Sequence, residues 1–416
     1  MSFCIQDPSY KESQYLHEAL IEACVDGIYG GGAYAFASKE GIELLIEDDN
    51  FKQILRNGHF LLIVGMDDIT NIFSVNTLRK LRDKYSGHLT VKAYIHHNKG
   101  SIFHPKYSWF ANKEGGVLVL GSGNLTQKGL RQNREAYIVS RYGREEMDEI
   151  VQEWNVWIEH SKPFLFDIDE DIVYEYAKRN TQRMKTVVSL QKEARGIADT
   201  AYLLNYGELF RGQPIDRIFE IAKKKKEEEI VNSETEINVM MYDEDLDIDL
   251  PYWRIYLNSE VMIAEIPRSG SRWQQVNFDK RTFEEFFGAT CGGNGTYRIL
   301  LRNMQHNGIL GEAEVRPGVS VSSQNYRFEL DAAKGRSYPD GKYRPLGVFV
   351  KVSSRDFIYE LVMPDDKAYK DCMKVLDRKE VYSIYRMRRI RYRCREIFED
   401  TPGLELWKRL DVEENE

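Results

Sequence analysis

The stretch HPKYSWFANKEGGVLVLGSGNLTQKGLRQNREAY, residues 104–137, decides how this chain is read. It holds two β-rich runs, KYSWFA and GVLVLG, separated by a polar turn at Lys113–Gly116, and a third run, EAYIVSR, opens at Glu135. A strand period of two places His104 and Lys106 on one face. The second run ends at Gly121, so Ser122 and Asn124 emerge from a Gly-flanked turn. One imidazole, one ammonium, a hydroxyl, a carboxamide and a carboxylate are thereby gathered at the ends of three successive strands.

Those groups meet the demands of phosphodiester cleavage. Lys106 supplies a point charge for the phosphate, and Ser122 and Asn124 supply donors to its non-bridging oxygens. Neutral His104 is suited to in-line attack that forms a phosphoramidate, and Glu135 is a carboxylate able to orient the ring. The leaving oxygen needs a proton from a second imidazole, which one motif does not contain. A homodimer sharing one composite site is therefore expected. His-x-Lys alone carries no weight, because His97-Asn98-Lys99 and His160-Ser161-Lys162 repeat it; only His104 is followed by Gly121-Ser122-Gly123-Asn124 and then Glu135.

Outward from this stretch, the first 165 or so residues alternate helical patterns with strands at AYAFA (33–37), FLLIVG (60–65) and LTVKAYI (89–95). The pattern predicts an α/β domain over 1–168, a mixed or largely parallel sheet covered by helices. A helical connector is expected over 169–236, ending in the charged run KKKKEEE (223–229) and a polar stretch. Residues 237–416 read as short strands and turns, WRIYLN, EVMIAEIP, TYRILLRN, YRFEL and the hairpin GVFVKVSSRDFIYELVM, the signature of a β-rich pseudobarrel. A helix is expected to open at Asp365-Asp366, and another over SIYRMRRIRYRCREIF, with Ile384, Met387, Ile390, Cys394 and Phe398 inward.

Bulk properties restrict the options. The 416 residues carry a net charge of −8, so nucleic acid could be held only by local basic patches. The five cysteines form no Cys-x-x-Cys and read as reduced packing residues. No apolar run approaches a membrane span and no signal pattern opens the chain, so a cytoplasmic protein without membrane attachment is expected. In the C-terminal part, PRSGSRWQQVNF (267–278) puts Arg268, Arg272 and Gln274 around Trp273, side chains that read base edges; a solvated loop anchored by a buried Trp273 is the competing reading. The cluster holding Arg388 and Arg391 suits DNA phosphates or pairing with acidic surfaces.

Three further patterns favour plain structural readings. Asp67-Asp68 reads as a helix cap or loop pair, because no Glu-x-Lys or Asp-x-Lys follows as in metal nucleases. The acidic run 243–249 lacks the glycine and terminal glutamate of a calcium loop, and Gly30-Gly31-Gly32 reads as a tight turn into a strand at Ala33. The pair His96-His97 suits either the rim of the site or a partly exposed structural role. No metal and no cofactor are expected.

The pairing of His104-x-Lys106 with Gly121-Ser122-x-Asn124 resembles the phospholipase D superfamily, and more particularly its restriction-endonuclease branch, the BfiI and NgoFVII-like enzymes. The superfamily aspartate five residues after the lysine is replaced by Ala111, as in that branch, and Glu135, eleven residues beyond Asn124, fits the branch's glutamate. The resemblance implies a metal-independent DNA endonuclease of a restriction or anti-phage system with His104 as nucleophile, Lys106, Ser122 and Asn124 as phosphate ligands, and Glu135 as the histidine's partner. It also implies a B-three-like recognition pseudobarrel C-terminally. Two alternatives stay open: a phosphodiesterase acting on another substrate, and a nuclease subunit active only within a larger defence complex, with an ATPase or similar partner.

Overall fold

A computed structural model of the chain describes residues 1–97, 101–202, 253–268, 273–291, 297–317, 319–320, 326–340, 343–378 and 387–411. The first part forms strands β1 (Ser2–Gln6), β2 (Tyr29–Tyr34), β3 (His59–Gly65), β4 (Leu89–Tyr94), β5 (Lys106–Ala111), β6 (Gly115–Gly121), β7 (Glu135–Gly143) and β8 (Leu165–Asp167). Its helices are α1 (Leu16–Ala23), α2 (Lys39–Ile46), α3 (Asp49–Asn57), α4 (Ile72–Lys84), α5 (Arg144–Ser161) and α6 (Asp171–Tyr202). The eight strands make one sheet in the order β1-β7-β6-β5-β2-β3-β4-β8. Neighbours β2, β3 and β4 run parallel, and the pairs among β2, β5, β6 and β7 are antiparallel.

That topology places the carboxyl ends of β2, β3 and β4 at the same edge as the start of β5, the end of β6 and the start of β7. Strand order departs in both directions from β2, and open α/β sheets bind ligands beyond the strand ends at such a switch point. One face of the sheet packs into the main core with α1 to α4, through residues such as Leu20, Ile42, Phe51, Leu62 and Leu78. The other is closed by α5, whose Met147 and Trp154 pack on Ala33, Ile63 and Trp109.

The glycine run 30–32 lies inside β2, not in a turn before it. The reason is crowding: a Cβ on Gly30 would lie 2.6 Å from the Trp109 carbonyl oxygen, on Gly31 2.8 Å from the Trp109 and Trp154 rings, and on Gly32 2.7 Å from Ser108 Oγ. Glycine lets β2 pass between its neighbour and two tryptophans. Asp67 is the loop residue expected of it, and Asn71 caps α4, accepting from Phe73 N and Ser74 N. The connector is helical as far as α6 runs; the charged run 223–229 and the acidic run 243–249 lie outside the described residues.

The C-terminal part contributes β9 (Ile255–Tyr256), β10 (Glu260–Glu265), β11 (Gln275–Asn277), β12 (Thr290–Cys291), β13 (Arg298–Met304), β14 (Leu310–Pro317), β15 (Val319–Ser320), β16 (Arg327–Glu329), β17 (Leu346–Lys351), β18 (Asp356–Val362), helix α7 (Tyr369–Asp377), β19 (Arg389–Arg393) and β20 (Leu410–Asp411). A six-stranded sheet, β14-β13-β18-β17-β10-β19, dominates it. The β17–β18 hairpin turns at Ser353–Arg355 as its sequence predicts, and α7 starts later than Asp365-Asp366 implies. One face of this sheet carries an aromatic core of Phe278, Phe287, Phe328, Phe349 and Phe357.

The expected terminal helix is corrected. Residues 389–393 form an edge strand antiparallel to β10, followed by a single 3-10 turn at Cys394–Glu396. The run Arg-Ile-Arg-Tyr-Arg alternates with period two, so Ile390 and Tyr392 are buried while the arginines lie between them; this strand period overrides the helical spacing of the longer segment. Residues 383–386 of that segment lie outside the described residues.

The two parts meet across a buried polar seam. Glu18 takes a bidentate pair from Arg355, at 2.8 Å for both Nε and Nη2, and also accepts from Arg298 N at 3.1 Å. Arg131 grips Asp356 at 2.9 and 2.7 Å, and Arg298 grips Asp48 at 2.7 and 3.1 Å. Paired, planar guanidinium–carboxylate contacts of this kind fix relative geometry closely. Around the seam, the main core draws residues from both parts, including Leu16 and Ile42 together with Leu300 and Ile358.

Candidate active site

The 104–137 stretch reaches the strand-end edge described above. Lys106 is the first residue of β5, pairing with Tyr34 at the end of β2, and Glu135 is the first residue of β7. His104 precedes the strand. It therefore sits on the loop leading into β5 and does not share a strand face with Lys106. Three contacts fix that loop: Asp67 accepts a hydrogen bond from Phe103 N at 2.8 Å, Lys106 Nζ donates to the His104 carbonyl oxygen at 3.1 Å, and Ala35 N donates to the Pro105 carbonyl oxygen at 2.8 Å. The imidazole is solvent-exposed and meets the edge of Phe36, with ring centroids 6.4 Å apart. Among the described residues it has no hydrogen-bond partner.

Lys106 is 8% exposed. Burial pushes its ammonium below the ordinary lysine range, while the negative charge of Glu135 acts the other way. That coupling brings Lys106 and Glu135 into one electrostatic unit.

Glu135 is held by two donors, the Ser122 hydroxyl and Asn133 Nδ2, the latter at 3.0 Å. Ser122 Oγ in turn accepts from Ala136 N at 3.1 Å. The serine's hydrogen is thus directed at the carboxylate, and turning it to a phosphate means giving up that bond. The carboxylate does not hydrogen-bond to the His104 ring of the same chain.

Asn124 differs. Its carboxamide makes no hydrogen bond among the described residues, and its Oδ1 is buried. The turn bearing it is clamped: Leu125 N donates to Phe36 O at 3.1 Å, Ser38 N donates to Leu125 O at 3.0 Å, and a π-helical turn, Lys128–Gln132, follows. Gly129 is required there, because a Cβ would lie 2.5 Å from Asn124 O and 2.6 Å from Asn124 N. Buried, unpartnered carboxamides recur at Gln127 and Gln132 in the same segment. An unpaired buried amide is costly unless something completes it, so each of these open carboxamides calls for an explanation.

Sequence reasoning missed Asn133, Asp67 and Phe36. Asn133 has a local signal, since it stands two residues before Glu135; Asp67 and Phe36 have none, because only tertiary folding brings them to the 103–106 loop. His97 is exposed and its Nδ1 lies 3.4 Å from Tyr176 Oη, while His96 Nε2 lies 3.6 Å from Asp67 Oδ1, next to the loop that carries His104. Among the described residues no three His, Cys, Asp or Glu side chains gather as a metal site.

The two described DNA-reading candidates, Arg268 and Gln274, stand in the C-terminal part of the chain and not at this sheet edge. Arg268 is exposed with its guanidinium 5.7 Å from the Tyr338 ring centre, Gln274 is half-buried, and Arg272 lies outside the described residues. Trp273 is buried, its Nε1 donating to Arg336 O at 2.9 Å, as expected of a loop anchor. Arg388 is set between Glu265 at 2.9 Å and Asp377 at 2.5 Å, and Arg391 pairs with Glu285 at 3.4 Å. No described helix is long and apolar enough to cross a membrane.

No protein-family model matches the sequence, and no curated protein matches it. Among solved structures, the chain is similar to Nuc of Salmonella typhimurium, a phospholipase D family member, at 12% identity and a TM-score of 0.30, over 40% of this chain and 97% of that one. It is similar to NucT from Helicobacter pylori at 15% identity and a TM-score of 0.27, over 36% of this chain and 88% of that one. A phosphatidylserine synthase of Haemophilus influenzae shows 16% identity and a TM-score of 0.28, over 44% of this chain and 43% of that one.

Proposed function

We propose that the chain is a phosphodiesterase of the phospholipase D type that cuts DNA as an endonuclease, without a metal ion, through a phosphohistidine on His104. The observation that carries this reading is the open polar trio at one sheet edge: an unbonded, exposed His104, the Lys106 ammonium, and the Asn124 carboxamide with no partner. Each is poised for an anion, and among the described residues none is committed to another side chain.

In the first step a ring nitrogen of His104 attacks phosphorus and the P–O bond to the leaving nucleotide breaks. The leaving oxygen takes a proton from a second imidazole. Water then attacks phosphorus, the P–N bond breaks, and the second imidazole takes the water's proton. Lys106 and Asn124 stabilise the equatorial oxygens in both steps. Ser122 holds Glu135, which keeps a negative charge beside Lys106. The second imidazole is His104 of another copy, so the active species is a homodimer. The C-terminal part supplies sequence reading of the B-three type through Arg268, Arg272 and Gln274, as in a restriction or anti-phage enzyme. Of the two ion-paired arginines, Arg391 is the better placed for a DNA phosphate, because its own side chain is the more exposed, 34% against 19% for Arg388.

Incubation of the purified protein with plasmid DNA in excess EDTA tests the reading. Nicked and linear products are expected, from a species that sediments as a dimer. Strict dependence on added Mg²⁺, or activity in a monomer, contradicts it, and cleavage of bis-p-nitrophenyl phosphate with intact plasmid points to another phosphodiester.

A further inference from the structure

An open cleft of about 640 Å³ lies where the two parts of the chain meet, beyond the β1–β7 edge of the eight-stranded sheet. Among the described residues its lining includes Lys11, Arg134, Lys351 and Arg393, against a single carboxylate, Glu260. In a protein of net charge −8 this is a local reversal of sign. Two of the cations have only weak partners, Arg134 with Asp7 at 3.4 Å and Lys351 with Glu260 at 3.7 Å. Arg393 donates to the Asn258 carbonyl oxygen, and among the described residues neither it nor Lys11 forms an ion pair. Burial pushes the Lys351 ammonium down; Glu260 opposes this, and the charges of Arg391 and Lys11 add to it. Like charges have been gathered around a space that holds too few anions of its own.

Two neutral features also point to a ligand. Gln132, 9% exposed, lines the cleft with both ends of its carboxamide unpartnered. Tyr256, 46% exposed, presents an aromatic ring in the same wall. The cleft is also rigid, because the hairpin turn of the C-terminal sheet clamps its floor: Ser354 N donates to Pro8 O at 3.1 Å and Arg355 Nη1 to Lys11 O at 2.7 Å. It opens at the catalytic edge, since Gln6 at the end of β1 pairs with Glu135, and Arg134 sits between Asn133 and Glu135 in the chain.

We propose that this cleft binds an unpaired strand of nucleic acid, its phosphates on Lys11, Arg134, Lys351 and Arg393 and a base stacked on Tyr256, leading the strand to or from the His104 site. This rests on the nuclease reading above. Cations along a groove track the backbone, an aromatic ring takes the face of any base, and a base inside a duplex has no free face to offer. Exposed ion pairs such as Arg134–Asp7 are weak enough for a phosphate to displace.

The test uses full-length His104→Ala protein and a fluorescein-labelled 16-nucleotide single strand of DNA, with affinity read by anisotropy over a range of salt. Added to that background, Lys11→Ala/Arg134→Ala is expected to weaken binding at least about tenfold and to flatten the slope of log K against log salt by roughly 1.4 for two lost contacts. Tyr256→Ala should weaken the single strand by about tenfold and a duplex of the same length far less. Arg134→Lys, which keeps the charge, should bind like its parent. These side chains lie outside the seam, so melting temperatures should not move. If the two alanine variants bind the single strand as tightly as the parent, the cleft is not a strand site, and plasmid cutting by the wild type in EDTA would leave the nuclease reading standing. If the wild type cuts bis-p-nitrophenyl phosphate but neither binds nor cuts DNA, both proposals fail together.

Discussion

Asn124 and Arg131 stand seven residues apart in one segment, yet they belong to polar clusters built in opposite ways. Arg131 is fully buried and every neighbour answers it: Asp356 twice, Arg298 O at 2.8 Å and His17 Nδ1 at 3.1 Å. At the strand-end edge that carries Asn124 the groups are left open among the described residues, with an unbonded imidazole, an unpartnered carboxamide and an ammonium whose only hydrogen bond is to a backbone carbonyl oxygen. Satisfied polar networks hold a structure, whereas open ones wait for a ligand. The seam should therefore respond to mutation in stability, and the strand-end edge in activity.

The largest effect expected from this contrast is at His104. His104→Ala should lower DNA cleavage by at least about 10⁴-fold, as for other residues that act as a catalytic unit, with unfolding free energy unchanged to within about 0.5 kcal/mol. Comparable losses of both quantities in matched cleavage and urea-unfolding measurements would erase the distinction. At the seam, Glu18→Ala strands Arg355 without its carboxylate in a site where both side chains are fully buried, and a cost of about 3–5 kcal/mol is expected. A change below about 1 kcal/mol in the unfolding free energy from urea titration would show that the seam is not what joins the two parts. Asn124→Ala should reduce cleavage by about 10²–10³-fold, the usual loss for one preorganised donor, and leave melting unchanged or slightly raised, since an unpartnered buried polar atom is removed.

The smallest effect is a pH dependence that belongs to the seam. Burial, with the charges of Arg131 and Arg298 added, holds the His17 imidazole well below its ordinary range, and Leu44 O opposes this weakly. The ring is therefore neutral in the folded protein, its Nε2–H donating to Leu44 O at 2.8 Å. A histidine with a depressed folded pKa contributes fully above its unfolded value of about 6.5 and loses that contribution as pH falls below it, at up to about 1.4 kcal/mol per unit. His17→Gln should remove this slope between pH 6.5 and 5. Equal pH dependence in urea titrations of the two proteins would show that the ring is not neutral when folded.

How much of this was legible beforehand divides along the same line. Lys106, Ser122, Asn124 and Glu135 could be found because a strand–turn–strand unit keeps them close in sequence, and local spacing fixes which strand end they share. Nothing local announces Asp67 beneath the Phe103 amide, or the hold of Ser122 and Asn133 on Glu135, because those contacts depend on side-chain choices made in the folded molecule. The seam was hidden for a stronger reason: Glu18 and Arg355 are 337 residues apart, and a buried arginine looks like any other in sequence. Arg389–Arg393 misled because a five-residue alternation is outweighed by a helical pattern running over sixteen, until β10 offers that edge a partner. Gly30–Gly32 misled likewise, since glycine reads as a turn unless the tryptophans packed against it are known.

The central claim, that His104 is the group left open for phosphorus, is tested most directly by trapping the intermediate. Wild-type protein would be mixed with 5′- and 3′-labelled DNA in EDTA, quenched in alkali to preserve a phosphoramidate, digested and analysed by mass spectrometry. The account predicts a nucleotide adduct on the peptide carrying His104, absent from His104→Ala. An adduct on another residue, or steady cleavage of the same DNA by His104→Ala, would contradict it.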